Sequence, residues 1–273
     1  KGEPKPLEVK IVRDIIKIQS VYVKTIEDNI LYLHVTSFDQ KVVKGVQDAM
    51  KKHNNTRGII LDLRNNPGGL LDQAVGLVDL FVDEGIIVSQ KGKLQSENLE
   101  YKATKKGTDK NTPIVVLING GSASASEIVS GALQDFNRSI VVGEKTFGKG
   151  SVQVVMPIGS DEALKLTVAR YYLPSGRTIQ AVGVTPDITV PLGKIDFVEV
   201  SIMLKESDLK KHLESELAKM DGNATNSSKT NTENNETKVD DTVITEKQLY
   251  QDLQLKSAVN ILKALIITNK GKK

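Results

Sequence analysis

At 273 residues, with 39% hydrophobic and 26% charged residues, the chain has the length for one sizeable domain plus appendages and an ordinary core. Its 37 basic and 34 acidic residues nearly cancel, and no basic stretch is interleaved with aromatics, so nucleic acid is not among the expected partners. The absence of cysteine excludes disulfides, thiolate catalysis and cysteine-bound zinc, and no apolar run is long enough to span a bilayer.

The chain opens on Lys1 rather than Met and carries no signal-peptide pattern, which reads as a processed fragment. Leu7, Val9 and Ile11 alternate with polar neighbours as in a strand. Asn29 to Val35 is a second strand. Ser37-Phe-Asp-Gln40 then has the pattern of a capping box, opening a helix with Val42, Val43, Val46, Ala49 and Met50 on one face. Gly58 to Leu63 is an apolar strand broken only by Asp62. This β-α-β order predicts a parallel sheet covered by helices, an α/β fold.

Arg64-Asn-Asn-Pro-Gly-Gly69 closes that strand, and Leu70 to Phe81 forms the next helix. A short strand at Ile86 to Val88 precedes a polar loop or hairpin over Lys91 to Thr112. Ile114 to Ile118 and Ser139 to Gly143 are strands, as is Asp161 to Tyr172 by its alternation. Pro174-Ser-Gly176 is a turn, and Thr178 to Val190 reads as a strand pair. From Lys194 the composition shifts to a charged helix over Lys205 to Met220, then a polar stretch, 221–243, that cannot bury a core and is expected to be disordered. A final helix, Glu246 to Thr268, carries Leu255, Val259, Leu262 and Ile266 at helical spacing. Such a stripe docks on its own protein or on a second copy.

The chemistry concentrates in Asn119-Gly-Gly-Ser-Ala-Ser-Ala-Ser-Glu127 and Phe147-Gly-Lys-Gly-Ser-Val-Gln153. The first lies between a strand and a helical pattern, where free N–H groups at the helix start favour negative charge. A serine there needs a base. His34 lies in an apolar strand, His53 at a helix end and His212 in a charged helix, which disfavours a histidine triad. Lysine is the other option when burial favours its neutral form. Lys149, between Gly148 and Gly150, is the best placed, with Lys145 as rival. By residue type alone, Ser122, Ser124, Ser126 and Ser130 all remain open as nucleophile, since helix-start hydroxyls more often cap or back-bond. Glu127 reads as serving the positive helix start, and Gln153 reads equally as a solvent-facing strand residue.

These segments resemble the carboxyl-terminal processing proteases, or tail-specific proteases, which are Ser/Lys-dyad endopeptidases. The resemblance covers roughly residues 5 to 190. It extends to Leu61-Asp-Leu-Arg-Asn-Asn-Pro-Gly-Gly69, Gly143-Glu-Lys-Thr-Phe147, Leu166-Thr-Val-Ala-Arg-Tyr-Tyr-Leu-Pro-Ser-Gly-Arg177 and Val182-Gly-Val-Thr-Pro-Asp187. It implies Ser124 as nucleophile, Lys149 as general base and Gln153 as the residue orienting the lysine. The N–H groups of Gly69 and Ala125 would form the oxyanion hole. No metal or other cofactor is implied.

The resemblance further implies a ClpP/crotonase-like sheet-and-helix core over 24–193. Residues 1–23 would be the end of a PDZ domain and its connector, and 194–273 a helical extension. Expected partners are protein substrates with exposed C-termini, with a possible homodimer through the C-terminal helices, in a bacterial cell envelope or periplasm. Two other classes stand beside this reading: an inactive PDZ-linked scaffold, and a crotonase-type acyl-CoA enzyme, which shares the spiral core but uses carboxylate bases.

Overall fold

The computed structural model describes residues 10, 19–195 and 242–270. The expected strand at Leu7 to Ile11, the charged helix over Lys205 to Met220 and nearly all of the 221–243 stretch lie outside the described residues.

The centre is a six-stranded sheet. Its strands are β1 (Val21–Ile26), β2 (Ile30–Val35), β3 (Gly58–Asp62), β6 (Ile114–Ile118), β7 (Ile140–Gly143) and β10 (Ile188–Thr189), side by side in that order. β1 pairs antiparallel with β2, and every other pairing is parallel. β3 and β6 are buried along their whole length, as apolar, β-branched runs covered on both faces must be. Because strand side chains alternate, Leu61 and Val116 enter one core and Ile60, Val115 and Leu117 another. β1 begins at Val21, so this first strand of the core sheet straddles the expected boundary between residues 23 and 24.

The first core is closed by α1 (Val42–Lys52), α2 (Leu71–Asp79) and α3 (Ala125–Asp135). α1 buries Val42, Val46 and Ala49, the stripe its spacing predicts. The expected capping box does not form. The helix starts from Lys41, and Asp39 instead accepts the Lys41 N–H and the Ser20 hydroxyl.

The second core is closed from the opposite side by the end of the chain. The expected final helix is broken in two, α4 (Glu246–Tyr250) and α5 (Leu253–Lys270). Leu255, Ala258, Val259, Leu262 and Ile266 of α5 pack on Ile30, Ile60, Val115, Leu117 and Val142. The helix comes so close to β3 that a Cβ placed on Gly58 would lie 3.0 Å from the Leu262 side chain.

A second, antiparallel sheet has the order β5 (Leu99–Lys102), β4 (Ile86–Gly92), β9 (Glu162–Tyr172), β8 (Ser151–Ile158). The β4–β5 pair is the hairpin the polar 91–112 stretch allowed. The β8–β9 hairpin stands out from the body, with Val155, Met156, Ile158, Leu164 and Leu166 exposed. The strand pair expected over Thr178 to Val190 is not formed. Only Ile188–Thr189 pairs as a strand, and Thr178 makes an isolated bridge to Tyr172. Between them Ala181 and Gly183 take positive φ, and Pro186 supplies no N–H, which together bar a ladder.

Candidate active site

The nucleophile motif sits at the carboxyl ends of the parallel strands, the edge at which open α/β sheets bind ligands. β6 stops at Ile118, and Asn119 and Ser122 fold the turn. The Gly121 N–H donates to the Asn119 carboxamide oxygen at 3.0 Å, and the Asn119 N–H donates to Ser122 Oγ at 3.1 Å. Ser122 Oγ donates onward to the Leu63 carbonyl at 2.8 Å, tying the turn to the end of β3. The chain reaches the helix through Ser124 at φ 56°, ψ −111°. A residue with a Cβ takes such a conformation only under strain, as in the strand-to-helix elbows of serine hydrolases.

That geometry sorts the four serines. Ser122, Ser126 and Ser130 are fully buried. Ser126 Oγ donates to the Asn66 carbonyl at 2.9 Å and Ser130 Oγ to the Ser126 carbonyl at 2.8 Å. Ser124 is half-buried and makes no side-chain cap bond. It alone keeps its hydroxyl available.

Glu127, the third residue of α3, is fully buried and gathers the site around it. One carboxylate oxygen accepts the Thr146 hydroxyl and the Gly148 N–H, both at 2.6 Å. The other accepts the N–H of Ser124 and the N–H of Lys149, both at 2.8 Å. Ser124 and Lys149 thus hang by their backbones from one oxygen. Charge-assisted bonds of this kind are the strong ones, and the helix start favours the negative charge. Sequence reasoning gave Glu127 a helix-start role and a likeness to an acidic position of the resembled family, but no partners. Three of its four partners lie 19 to 22 positions away in the next loop, beyond any local pattern.

The Pro67-Gly68-Gly69 turn lies against the nucleophile. A Cβ on Gly68 would sit 2.9 Å from Ser124 Cβ and 3.0 Å from the Ala125 nitrogen, and one on Gly69 would strike the Phe38 carbonyl at 2.3 Å. Only bare backbone fits. The Phe38 N–H donates to Gly68 O and the Leu70 N–H to Phe38 O. By strand alternation this turns the Gly69 N–H to the other side. Neither that N–H nor the Ala125 N–H has an acceptor among the described residues. Asn66 holds the loop in place: its amide donates to Val35 O at 2.8 Å, its side-chain oxygen accepts the Gly68 N–H at 2.9 Å, and its carbonyl accepts the Ala123 N–H at 3.0 Å. A cleft of about 460 Å³, lined by Phe38, Asp39, Gln40, Lys41, Gly69 and Leu70, opens beside Gly69.

Lys149 is half-buried, whereas its rival Lys145 is exposed. Gln153, on β8, is exposed, and its amide nitrogen donates to Thr167 Oγ1 at 3.4 Å. Among the described residues no hydrogen bond joins the Lys149 side chain to Ser124 or to Gln153. His34 packs among the rings of Tyr22 and Tyr32, and His53 ends α1; neither approaches Ser124 in any described contact. His212 lies outside the described residues.

Beneath the turn lies a buried ionic network. Arg64 pairs with Asp62 at 2.6 Å and Asp252 at 2.8 Å, and donates to Gln254 at 3.1 Å. Tyr32 donates to Asp62 at 2.7 Å. Burial alone would lower the pKa of Arg64, but its bonds to Asp62 and Asp252 push it above the usual range. Burial together with the Asp62 charge raises the Tyr32 phenol. Asp252, which burial would raise, is held below the usual carboxylate range by Arg64.

The family model for peptidase family S41 matches residues 29–190, more than half of the chain. A carboxy-terminal-processing protease of Bartonella bacilliformis is 46% identical over 220 residues, covering 78% of this chain and 50% of its own. The carboxy-terminal processing protease CtpA of Bacillus subtilis is 33% identical over 207 residues, 74% of this chain and 44% of its own. Among solved structures, a photosystem II D1 C-terminal processing protease superposes with a TM-score of 0.58 at 32% identity, over 64% of this chain and 49% of that one. The chain spans about half the length of these relatives. With the family model matching residues 29–190 and both bacterial relatives covering about three quarters of the chain, the chain belongs to peptidase family S41, that of the carboxyl-terminal processing proteases.

Proposed function

We propose that the chain is the catalytic core of a serine endopeptidase that cleaves protein substrates near exposed C-termini. Ser124 acts as nucleophile and Lys149 as general base. The observation that carries this reading is the convergence on Glu127: the serine with an available hydroxyl and the half-buried lysine are suspended from the same carboxylate oxygen.

In this mechanism the unprotonated amine of Lys149 takes the Ser124 hydroxyl proton as Oγ attacks the substrate carbonyl. The resulting oxyanion is held by the N–H groups of Gly69 and Ala125, which the fold leaves without an acceptor of its own among the described residues. Collapse expels the amine, which takes the proton from the lysine, and leaves an ester on Ser124. Water, deprotonated by Lys149, then hydrolyses that ester. Gln153 orients the lysine through its carbonyl oxygen, since the bond to Thr167 uses only the amide nitrogen. The cleft beside Gly69 receives the substrate next to the scissile bond.

The same proposal places a PDZ domain ahead of the core as the reader of substrate C-termini, and the protein in a bacterial cell envelope. Self-association through the C-terminal helices has the outward face of α5 to use, around the exposed Ile267, because its inward face is buried on the sheet.

The test compares full-length protein with Ser124→Ala and Lys149→Ala for casein cleavage and for labelling by a fluorophosphonate probe, with circular dichroism as folding control. Each substitution is expected to lower cleavage by at least about 10³-fold, and Ser124→Ala to abolish labelling. A folded wild type that neither cuts nor labels would sink the proposal and leave a scaffold role. Cleavage that survives Ser124→Ala would reassign the nucleophile.

A further inference from the structure

The polar start of α5 reaches the glycine loop through Arg64 and the strand leading to the lysine loop through Val190, from the far face of the sheet. Asp252 accepts from Arg64 at 2.9 Å and pairs with it at 2.8 Å, and Gln254 accepts from the same guanidinium at 3.1 Å. Arg64 lies two positions before Asn66, whose carbonyl and side chain fix the nucleophile turn and Gly68. Gln254 is fully buried and also reaches the other way. Its amide donates to the Val190 carbonyl at 2.9 Å, and the Val190 N–H donates to Gly143 O at 2.9 Å. Gly143 ends β7 and leads directly into the segment from Thr146 to Lys149. β3 and β7 are the two strands flanking β6, which carries Ser124.

We propose that Asp252 and Gln254 are positioning residues that clamp the oxyanion loop and the lysine loop in register around Ser124. They touch no substrate. They act through Arg64 and Val190, so docking of the C-terminal segment completes the catalytic geometry. Two details favour positioning over simple adhesion. The apolar face of α5 already supplies adhesion to the sheet. The Arg64–Asp252 pair is only partly screened from water, with side chains 13% and 26% exposed, so its value as a stabiliser is small, while the same Asp252 carboxylate accepts the Leu255 N–H at 3.0 Å and so ties the start of α5 directly to Arg64.

The inference rests on the serine-protease reading, so the experiment uses full-length protein with two independent readouts. Asp252→Ala is expected to lower kcat about ten- to hundred-fold with KM changed less than about threefold, the loss that a small misplacement of reacting groups brings. Asp252→Glu is expected to recover part of that loss. Hydrogen exchange should quicken at residues 65–69 and 144–149 in Asp252→Ala, whether or not the protein cuts anything. Leu262→Ala, which weakens the same helix without touching the clamp, should lower the melting temperature and leave kcat unchanged at temperatures where it is folded. Unchanged kcat and unchanged exchange in folded Asp252→Ala overturn the clamp. So does an equal fall of kcat in Leu262→Ala, which would assign the effect to stability. If Asp252→Ala does not fold, Asp252→Asn takes its place, and failure of both to fold gives the residue to stability alone. An inactive wild type whose exchange still responds as described would defeat the protease reading and leave the clamp standing.

Discussion

At the scale of single residues, the site is a set of backbone N–H groups aimed by a few buried side chains. Glu127 accepts four hydrogen bonds. In Glu127→Gln one oxygen becomes an amide nitrogen and leaves two of those donors facing another donor, each costing about 1–3 kcal/mol. We expect a clear fall in melting temperature together with loss of proteolysis, and retained activity would show that the carboxylate only braces the helix. The strain at Ser124 gives a second expectation. Ser124→Gly relieves a conformation costing about 1–3 kcal/mol, which Ser124→Ala retains, so the glycine variant should be the more stable of two inactive proteins by about 1 kcal/mol in urea titration. Equal midpoints would refute the strain. Sequence spacing pointed to Ser124 and Lys149 through family register rather than local physics. It could not single out Glu127 or Asn66, because their partners belong to other loops. A carboxylate in the first turn of a helix, at a position where the resembled family is also acidic, was the trace that Glu127 left.

At the scale of elements, the strands and helices that bury apolar runs were legible, because β3 and β6 are short, nearly unbroken apolar runs and the α1 stripe repeats with the helical period. Elements set by turns and exposed edges were not. The capping box at Ser37 to Gln40 lost to an Asp39 that serves Ser20 and Lys41 instead. The break in the last helix has no Pro or Gly to announce it; α5 starts afresh after Asp252, whose carboxylate accepts the Leu255 N–H at 3.0 Å as a helix N-cap does. The fit of α5 on β3 is tight enough to test from both sides. Leu262→Ala should cost about 2–5 kcal/mol as a buried truncation. Gly58→Ala should be destabilising as well, by crowding Leu262 at 3.0 Å. Paired with Leu262→Ala it should be partly rescued, so a double-mutant cycle in denaturant that comes out additive would argue against the contact.

At the scale of the whole molecule, residues made far apart are joined under the active site, Arg64 to Asp252 across 188 positions. The charge on Asp252 is a folded-state asset because Arg64 holds its carboxyl below the usual range. A depressed carboxylate contributes stability that is fully present above its unfolded value near 3.8 and lost as pH falls through the lower folded value. Asp252→Asn should therefore narrow the gap to wild type at pH 2–3 relative to pH 7 in urea titration, and a gap independent of pH would remove the charge from the account. No sequence pattern pointed to this connection, since neither residue stands out in its own segment.

The placement of α5 also bears on how the protein is made. Synthesis runs from the amino end, so the Ser124 motif, the glycine turn and the lysine loop all emerge before the helix that covers the second face of the sheet. Until residues 252–266 follow, Ile30, Ile60, Val115 and Leu117 have no lid and Arg64 lacks one of its anionic partners. A nascent or prematurely terminated chain therefore carries Ser124 and Lys149 in an unfinished frame, and the proposed activity is expected only once the last helix has packed.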